Sequence, residues 1–587
     1  MADASLNSDR FLSRLKRLHA QWTKASSLAM WGGASALCLM SGVQNEEDSY
    51  KKSIALQLHL FAWELPDTVL LLAKDGTLYV LGTPKKCAFL EEAAKASSKD
   101  GVKVVLLPRN KSDGNAENHK KLLQAVKKGR DGNEGPAIMG SLLKESFDGA
   151  ICSGWLAAAK AGGVEVVETA PALGLLLSVK DSQEVELIRR AAILTNKVLK
   201  HGFINRMEEV INEEETTTHD KLAQEIDEVI EDPSKIKLNV AKGLVESCYF
   251  PIVQSGGKYQ LKASAQSDTR NLSYDIILCS MGARYKSYCA NVSRSFFINP
   301  PKKVQSTYRT LLSLYHKCLE NLRPGEPVKD VVAKAHRYLR DKSPDLERYI
   351  TKTLGFSLGL DYREASMVIS GKNATKLKDG MVFNLSVGLQ DVPLGVDERK
   401  GSGAANMETF SMIIADTVVV RDSGSEVLTK HEKEWKDVCY NLKDQGNDGS
   451  DDDEGGGGTE DEEAGRGDNL AMLPGAVTTR RMRDKGNIEE QNELASQRQG
   501  RMSALLKKRA KERAAAQERR LRGEDVSGDE GGEEVDELAS YKVRAFFGPR
   551  RYPRRVQPNQ LYVDMEREVV FAPVNGQPVP LSIHTTK

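Results

Sequence analysis

The 587-residue sequence contains no C-x-x-C, no H-E-x-x-H, no G-x-x-x-x-G-K-[ST] and no apolar run long enough to cross a bilayer. Its eight cysteines, at 38, 87, 152, 248, 279, 289, 318 and 439, are scattered through a chain too long to need disulfide staples. That pattern fits a reducing compartment, cytosol or nucleus. The nine histidines include no pair at metal-binding spacing. Ser370-Gly371-Lys372-Asn373 lacks the first glycine and the hydroxyl of a phosphate-binding loop, so nucleotide-driven work is not expected. The most apolar stretch, Leu28 to Val43, is rich in Gly and Ala and falls short of the roughly 20 residues of a membrane span. It reads as a buried strand with its turn. The polar start, Met1 to Asp9, has no signal-peptide core, and no membrane association is expected. An excess of one charge is also missing: 84 basic residues stand against 83 acidic ones, net +1.

What is present is enough for real cores, since 40% of residues are hydrophobic, with a polar part implied by a mean hydropathy of −0.45. The length suggests three or four domains on a soft prior of about 150 residues each. Phe11, Leu15, Leu18 and Trp22 share one face of a helix, Ser35 to Met40 reads as a strand, and Ile54, Leu58 and Phe61 mark a second helix. Thr68–Leu72 and Thr77–Leu81 flank Lys74-Asp75-Gly76, a hairpin signal. Val102–Leu107 and Gly163–Val167 add strands, so residues 1–178 are expected to form an α/β lobe with a mixed sheet. At Lys180-Asp181-Ser182 the pattern changes. Asp181 or Ser182 can cap the amphipathic helix carrying Val185, Ile188, Ala192 and Leu199. Strand runs follow at Ile276–Cys279, Ser295–Ile298, Met381–Leu385 and Met412–Val420, giving an α+β second domain over 179–443.

Residues 444–540 differ in kind, and the overall neutrality averages over their blocks. Between 444 and 468 there are eleven acidic residues and one basic, and between 480 and 522 fourteen basic and six acidic. Residues 523–540 hold eight acidic and no basic residues, and 541–555 six basic and no acidic. This reads as a disordered charged linker, with 498–522 a candidate solvated helix, alone or on a partner. From 541 to 587 globular character returns. Strand runs at Gln560–Met565, Val569–Val574 and Val579–Ile583, with Asn575-Gly576 between the last two, read as the incomplete start of a β-rich domain.

A set of ordered motifs lies between 180 and 430. Gly282-Ala-Arg-Tyr285-x-x-Tyr288-x-x-Asn291-Val-Ser-Arg294-Ser-Phe matches G-a-x-Y-x-G-Y-x-x-D-x-[ST]-R-T-F. Gly355-Phe356-Ser357-Leu358-Gly359-Leu360 occupies a G-H-G-[IV]-G-L segment. Gly380–Ser386 sits on G-M-V-F-x-x-E, and Ala415-Asp416-Thr417-Val418 with Leu428-Thr429 on E-D-T-V…L-T. Order and spacing together make this resemble the pita-bread fold of methionine aminopeptidase, aminopeptidase P and creatinase. With the first 178 residues it resembles the two-domain creatinase arrangement. In those enzymes two Asp, one His and two Glu hold two metals that activate water. Carried over by position, the five fall on Ser280, Asn291, Phe356, Ser386 and Ala415, none able to replace its counterpart. The side chains of Asp416 and Asp275, at odd offsets from the ligand positions, are expected on the other face of the sheet. The expectation is therefore no metal, no cofactor, no small-molecule substrate and a catalytically dead peptidase-like fold.

A two-domain peptidase-like chain lacking all five ligands and running into a charged linker resembles one family, the large subunits of the FACT histone chaperone. Pro251-Ile-Val-Gln-Ser-Gly256, Gly359-Leu-Asp-Tyr-Arg363-Glu364 and Asn575-Gly-Gln-Pro-Val-Pro-Leu-Ser-Ile-His584 add to that likeness. The resemblance implies a nuclear, chromosomal protein that reorganises nucleosomes without ATP in transcription, DNA replication and repair. It implies core histones as partners and an HMG-box-type small subunit docking through the incomplete dimerisation domain at 541–587. It also implies that a double pleckstrin-homology domain and an acidic tail belong after Lys587, making this chain a fragment, a truncated gene product or a short form. Asp451, Asp452, Asp453 and Glu454 are candidate acidic contacts for histones, and the basic stretches 498–522 and 541–555 for DNA phosphates. Arg363 and Glu364 mark a candidate peptide- or histone-binding cleft. The alternatives are a pseudo-peptidase scaffold of another complex, or an active metal-dependent Xaa-Pro aminopeptidase with a rebuilt site.

Overall fold

The computed structural model describes residues 6–442, except 44–50, 98–100, 131–134, 242 and 400–406, together with Leu538 and three strands between 562 and 582. The chain divides into two compact units, one holding both large sheets and one holding the three last strands.

Helix α1 (Ser8–Thr23) carries Phe11, Leu15, Leu18 and Trp22 on one face, all fully buried. Each contributes roughly 1.5–3 kcal/mol of burial. Asn7 caps the helix by accepting from the Arg10 N–H at 2.9 Å. There follow β1 (Ala36–Cys38), α2 (Lys52–Phe61), β2 (Val69–Ala73), β3 (Thr77–Gly82), α3 (Pro84–Phe89), α4 (Glu91–Ser97), β4 (Lys103–Pro108) and α5 (Ala116–Lys128). The lobe is completed by β5 (Ala137–Ser141), α6 (Ala150–Ala161), β6 (Val164–Glu168) and α7 (Ala170–Ser178). The strands make one mixed sheet in the order β4-β3-β2-β1-β5-β6. Its central hairpin is antiparallel, with Leu72 opposite Leu78, and its outer pairs are parallel. Because side chains alternate along a strand, Leu37, Leu70 and Leu72 feed the core under α1. Cys38, Val69 and Leu71 feed a second core with Trp155.

Two details of this lobe add to the sequence reading. The Leu28–Val43 stretch is a 3₁₀ turn at Ala25–Trp31 followed by a strand of only three residues. Strand β5 gives no apolar run, yet it sits between β1 and β6. Its Gly140 supplies no side chain because a Cβ there would meet Thr169 Cγ2 at 2.6 Å and Leu37 Cδ2 at 2.8 Å.

Helix α8 (Ser182–Val198) starts at a capping box: Asp181 accepts from the Glu184 N–H at 2.8 Å, and Glu184 accepts from the Asp181 N–H at 3.0 Å. It runs on through a π turn, Leu199–Ile204, into α9 (Asn205–Asn212), longer than the apolar stripe alone indicates. Next come α10 (His219–Glu231), β7 (Val245–Ser247), β8 (Ile252–Gln254), β9 (Ile276–Tyr285), β10 (Tyr288–Ile298), α11 (Lys302–Asn321) and α12 (Val328–Lys342). The remaining strands are β11 (Thr353–Ser357), β12 (Val368–Ser370), β13 (Val382–Pro393), β14 (Thr409–Val419), β15 (Glu426–Val427) and β16 (Cys439–Tyr440). The main order is β12-β11-β13-β14-β10-β9-β7, with β8, β15 and β16 pairing alongside β9, β14 and β10. Strands β9, β10 and β13 are far longer than their apolar runs suggest. The polar residues that interrupt those runs, Ser280, Asn291, Ser293 and Ser386, line a cleft on one face of the sheet. Helices α8 and α11 cover the other face.

In the second unit β17 (Tyr562–Asp564), β18 (Val569–Val574) and β19 (Gln577–Ser582) form an antiparallel meander. These match the strand runs expected there; Asn575 and Gly576 lie outside the described residues.

Candidate functional site

Two adjacent rows of residues cross the large sheet. Ser280 pairs with Ser293, Ser293 with Ala415 and Ala415 with Ser386. Two residues along, Asn291 pairs with Gly282, while Asn384 pairs with Thr417 on one side and Phe356 on the other. The five positions singled out by the motifs are thus gathered from β9, β10, β11, β13 and β14. Ser280, Asn291, Phe356 and Ser386 line an open cleft of about 560 Å³. Ala415 lies between Ser293 and Ser386 with no exposed surface. Gly355 brings β11 onto the cleft floor at φ +129°, where a Cβ would stand 1.9 Å from the Asn384 carbonyl oxygen.

The residues in these rows do not fit a pair of divalent cations. Two serines, one asparagine, one phenylalanine and one alanine supply no anionic oxygen and no imidazole, and hard cations of this kind need charged oxygen donors. No group of three or more His, Cys, Asp or Glu suited to a metal exists among the described residues. A neutral network takes the space instead. With its amide nitrogen donating to the Met281 carbonyl at 2.9 Å and to the Tyr249 hydroxyl, Asn291 accepts from Asn384 Nδ2 at 3.3 Å. The Asn291 N–H donates to Thr417 Oγ1 at 2.8 Å. Tyr249 lies 4.5 Å from the Tyr362 ring, and Tyr362 meets Phe356 edge-on at 5.3 Å. Burial pushes both tyrosine hydroxyls well above their ordinary pKa, so they remain neutral donors.

Neither nearby carboxylate substitutes for a lost ligand. Asp416 faces the opposite side, bound to Arg294 at 2.7 Å, the Tyr315 hydroxyl at 2.7 Å and Lys433 at 3.2 Å. Asp275 accepts from the Gly256 N–H at 3.1 Å and the Ile276 N–H at 2.6 Å, outside the cleft. Burial raises Asp275 to about 6, so the native state holds its proton more tightly than the unfolded chain does. Stability from this group is therefore present at low pH and lost as pH rises from about 4 through 6, by roughly 3 kcal/mol at most. Asp275→Asn is expected to remove that loss, so urea midpoints measured at pH 4.5 and 7.5 should differ less in the variant than in the parent.

The candidate pair Arg363–Glu364 is split by the structure. Arg363 lines the cleft with its guanidinium 5.6 Å from the Phe356 ring centre. Glu364 does not. It is turned toward the N-terminal lobe, where Lys52 binds it and reaches Asp361 at 3.3 Å. Adjacent residues diverge because Arg363 is exposed while Glu364 is buried and holds the Ser366 hydroxyl at 2.6 Å. Beside it Lys180 is buried, donates to the Ser178 carbonyl at 3.1 Å and is pulled down to about 8 by desolvation. Sequence reading missed the other groups around the cleft: Tyr249, Lys262, Arg348 and Lys352 come from three remote segments at no recognisable spacing. Asp451, Asp452, Asp453 and Glu454, and the basic stretch 498–522, lie outside the described residues.

A mixed-sheet lobe followed by a pita-bread sheet, with uncharged residues in the two rows that cross it, defines a protein of peptidase-like fold. The Xaa-Pro dipeptidase from Bacillus anthracis shares the fold, with a TM-score of 0.50 at 16% identity over 74% of this chain and all of that one. Two family models match: FACT complex subunit SPT16 N-terminal lobe domain over residues 6–172, and metallopeptidase family M24 over 186–422. The N-terminal domain of FACT complex subunit SPT16 from Cicer arietinum is 30% identical, covering 74% of this chain and 100% of that chain, with a TM-score of 0.65. Its counterpart from Eremothecium gossypii is 27% identical, with 75% and 100% coverage and a TM-score of 0.67. FACT complex subunit SPT16 of Dictyostelium discoideum is 32% identical over 595 residues, 100% of this chain and 52% of the relative. The chain belongs to the FACT complex subunit SPT16 family. It spans about half the length of the curated relatives it matches.

Proposed function

We propose that this chain acts as a histone chaperone subunit of the FACT complex, a nuclear, chromosome-bound protein that reorganises nucleosomes without ATP in transcription, DNA replication and repair. Its peptidase-like domain is a binding unit and not a catalyst. The observation that carries this reading is the ligand rows: the sheet that assembles them is intact, while Ser280, Asn291, Phe356, Ser386 and Ala415 leave no charge for a metal. Similarity to proteins named as FACT complex subunits along the whole chain supports the assignment to that complex. Histones are strongly basic, so the acidic runs at Asp451–Glu454 and Glu460–Glu463 suit them electrostatically. The basic stretches 498–522 and 541–555 suit DNA phosphates, and 541–587 suits docking of an HMG-box-type small subunit.

Purified protein dialysed with manganese, cobalt or zinc is expected to retain no stoichiometric metal and to release no amino acid from Xaa-Pro peptides. Two metals per chain with turnover would overturn the non-catalytic reading. Binding of core histones is expected to weaken as salt rises. It should also fall several-fold when Asp451, Asp452, Asp453 and Glu454 are changed to their amides, read by fluorescence titration. Unchanged affinity would remove those four residues from the histone surface.

A further inference from the structure

We infer that the cleft is a binding site for an acidic, extended segment of a partner protein, and that it disfavours basic tails. The inference rests on the reading of the peptidase-like domain as a binding unit and names the ligand that this domain takes. Charge is the first argument. Lys262, Arg348, Lys352 and Arg363 line the cleft, all four exposed, against a single lining carboxylate, Asp391. None of the four makes an ion pair with a carboxylate among the described residues. Asp391 is already engaged, accepting from the Gln390 amide at 3.0 Å. A site whose relatives in the peptidase fold need four carboxylates for two dications thus carries an excess of three positive charges. Such a concave, low-dielectric surface concentrates anions and repels cations.

The interior supplies the second argument. Behind the cationic residues the cleft is neutral: Ser280 and Ser386 hydroxyls, the Asn384 amide and the aromatic group of Tyr249, Phe356 and Tyr362. Hydroxyls and amides match peptide groups, which both donate and accept, and the aromatic faces take an apolar side chain. A nucleic-acid strand would need cations spaced along its whole path, whereas here the charge is collected at exposed positions around a neutral interior. At about 560 Å³ the cleft suits a short run of residues. The four cations come from three remote segments, the loop near 262, the end of a 3₁₀ helix and its exit at 348–352, and the loop at 363, so only the tertiary structure collects them.

The test uses the full chain and two fluorescein-labelled nine-residue probes. One has glutamates flanking a central tyrosine; the other has lysines in place of the glutamates. Anisotropy at 50 mM salt is expected to show binding of the acidic probe, while the lysine probe, which the acidic runs at 451–463 can hold, is read as the change between parent and variant. Lys262→Glu, Lys352→Glu, Arg348→Glu and Arg363→Glu combined should weaken it at least tenfold, with an unchanged unfolding midpoint. Combined changes of the four to Gln should weaken it less and flatten its salt dependence. Full affinity for the acidic probe in the reversed variant would overturn the proposal, as would a lysine-probe affinity that falls in that variant instead of rising. Displacement of the acidic probe by single-stranded DNA, at concentrations below those of unlabelled acidic peptide and lost in the reversed variant, would overturn it in favour of nucleic acid. Histone binding measured on the same variants is expected to stay unchanged, so failure here leaves the chaperone reading to its own test.

Discussion

Asp416→Ala is expected to cost about 3–5 kcal/mol, because it strands a cation in the middle of the sheet. Arg294 and Asp416 are both completely buried, and their contact is 2.7 Å. The guanidinium also donates to the Ala415 carbonyl at 2.8 Å and the His431 carbonyl at 2.9 Å, while Asp416 receives the Thr429 hydroxyl at 2.9 Å and the Tyr315 hydroxyl at 2.7 Å. Removing the carboxylate leaves Arg294, Tyr315, Thr429 and Lys433 without their common acceptor. The reading is a fall in the urea midpoint with an unchanged slope. Combining it with Arg294→Met should lose about 1–3 kcal/mol less than the two single changes added together, since the orphaned charge is then gone. A loss below 1 kcal/mol for the single variant would show that the cluster is not the sheet's main polar lock.

The second large effect is expected at Glu184, where the N-terminal lobe meets the peptidase-like domain. Its carboxylate accepts from His59 at 3.1 Å, the Tyr288 hydroxyl at 3.0 Å and the Asp181 N–H at 3.0 Å. Arg14, bound to Asp181 at 2.6 Å, stands 3.6 Å away. Burial opposes ionisation, yet His59, Arg14 and the backbone N–H together hold this carboxyl well below the usual range. A carboxyl lowered in the folded state stabilises above its unfolded pKa, about 4.5, and loses that stabilisation as pH falls below it. Glu184→Gln is expected to cost about 2–4 kcal/mol at pH 7 and less at pH 3, where the unfolded carboxyl is protonated while the folded one is still ionised. Hydrogen exchange should rise first at Lys52–Phe61 and Ser182–Ile188, the two segments joined there. Equal losses at both pH values would contradict the charge-based account.

Much of the architecture was legible in the sequence because it lies in local periodicity and in motif order. The α1 stripe of Phe11, Leu15, Leu18 and Trp22, the β2–β3 hairpin and the Asp181 cap each depend on residues a few positions apart. The uncharged residues at the five motif places were legible too, since a residue type at a fixed place in a motif needs no coordinates. Strand ends were less so. Ser280, Asn291 and Ser293 break the apolar runs of β9 and β10, although the strands continue through them. Polar side chains line the cleft there, and a sequence pattern cannot distinguish that from a strand's end.

Two placements depended on the tertiary structure alone. Glu364 belongs with Lys52, more than three hundred residues earlier in the chain, and not with its neighbour Arg363 in the cleft. The cleft's positive charge is the sum of side chains from three remote segments that have no common spacing. By itself the sequence determined the fold family and the uncharged residue types in the two rows, because both are written in which residue types occur and in what order. Only the packed structure decided the sign of the cleft and which carboxylates join the two lobes. Those follow from distances between remote segments, and Coulomb interactions are governed by distance and burial, not by sequence separation.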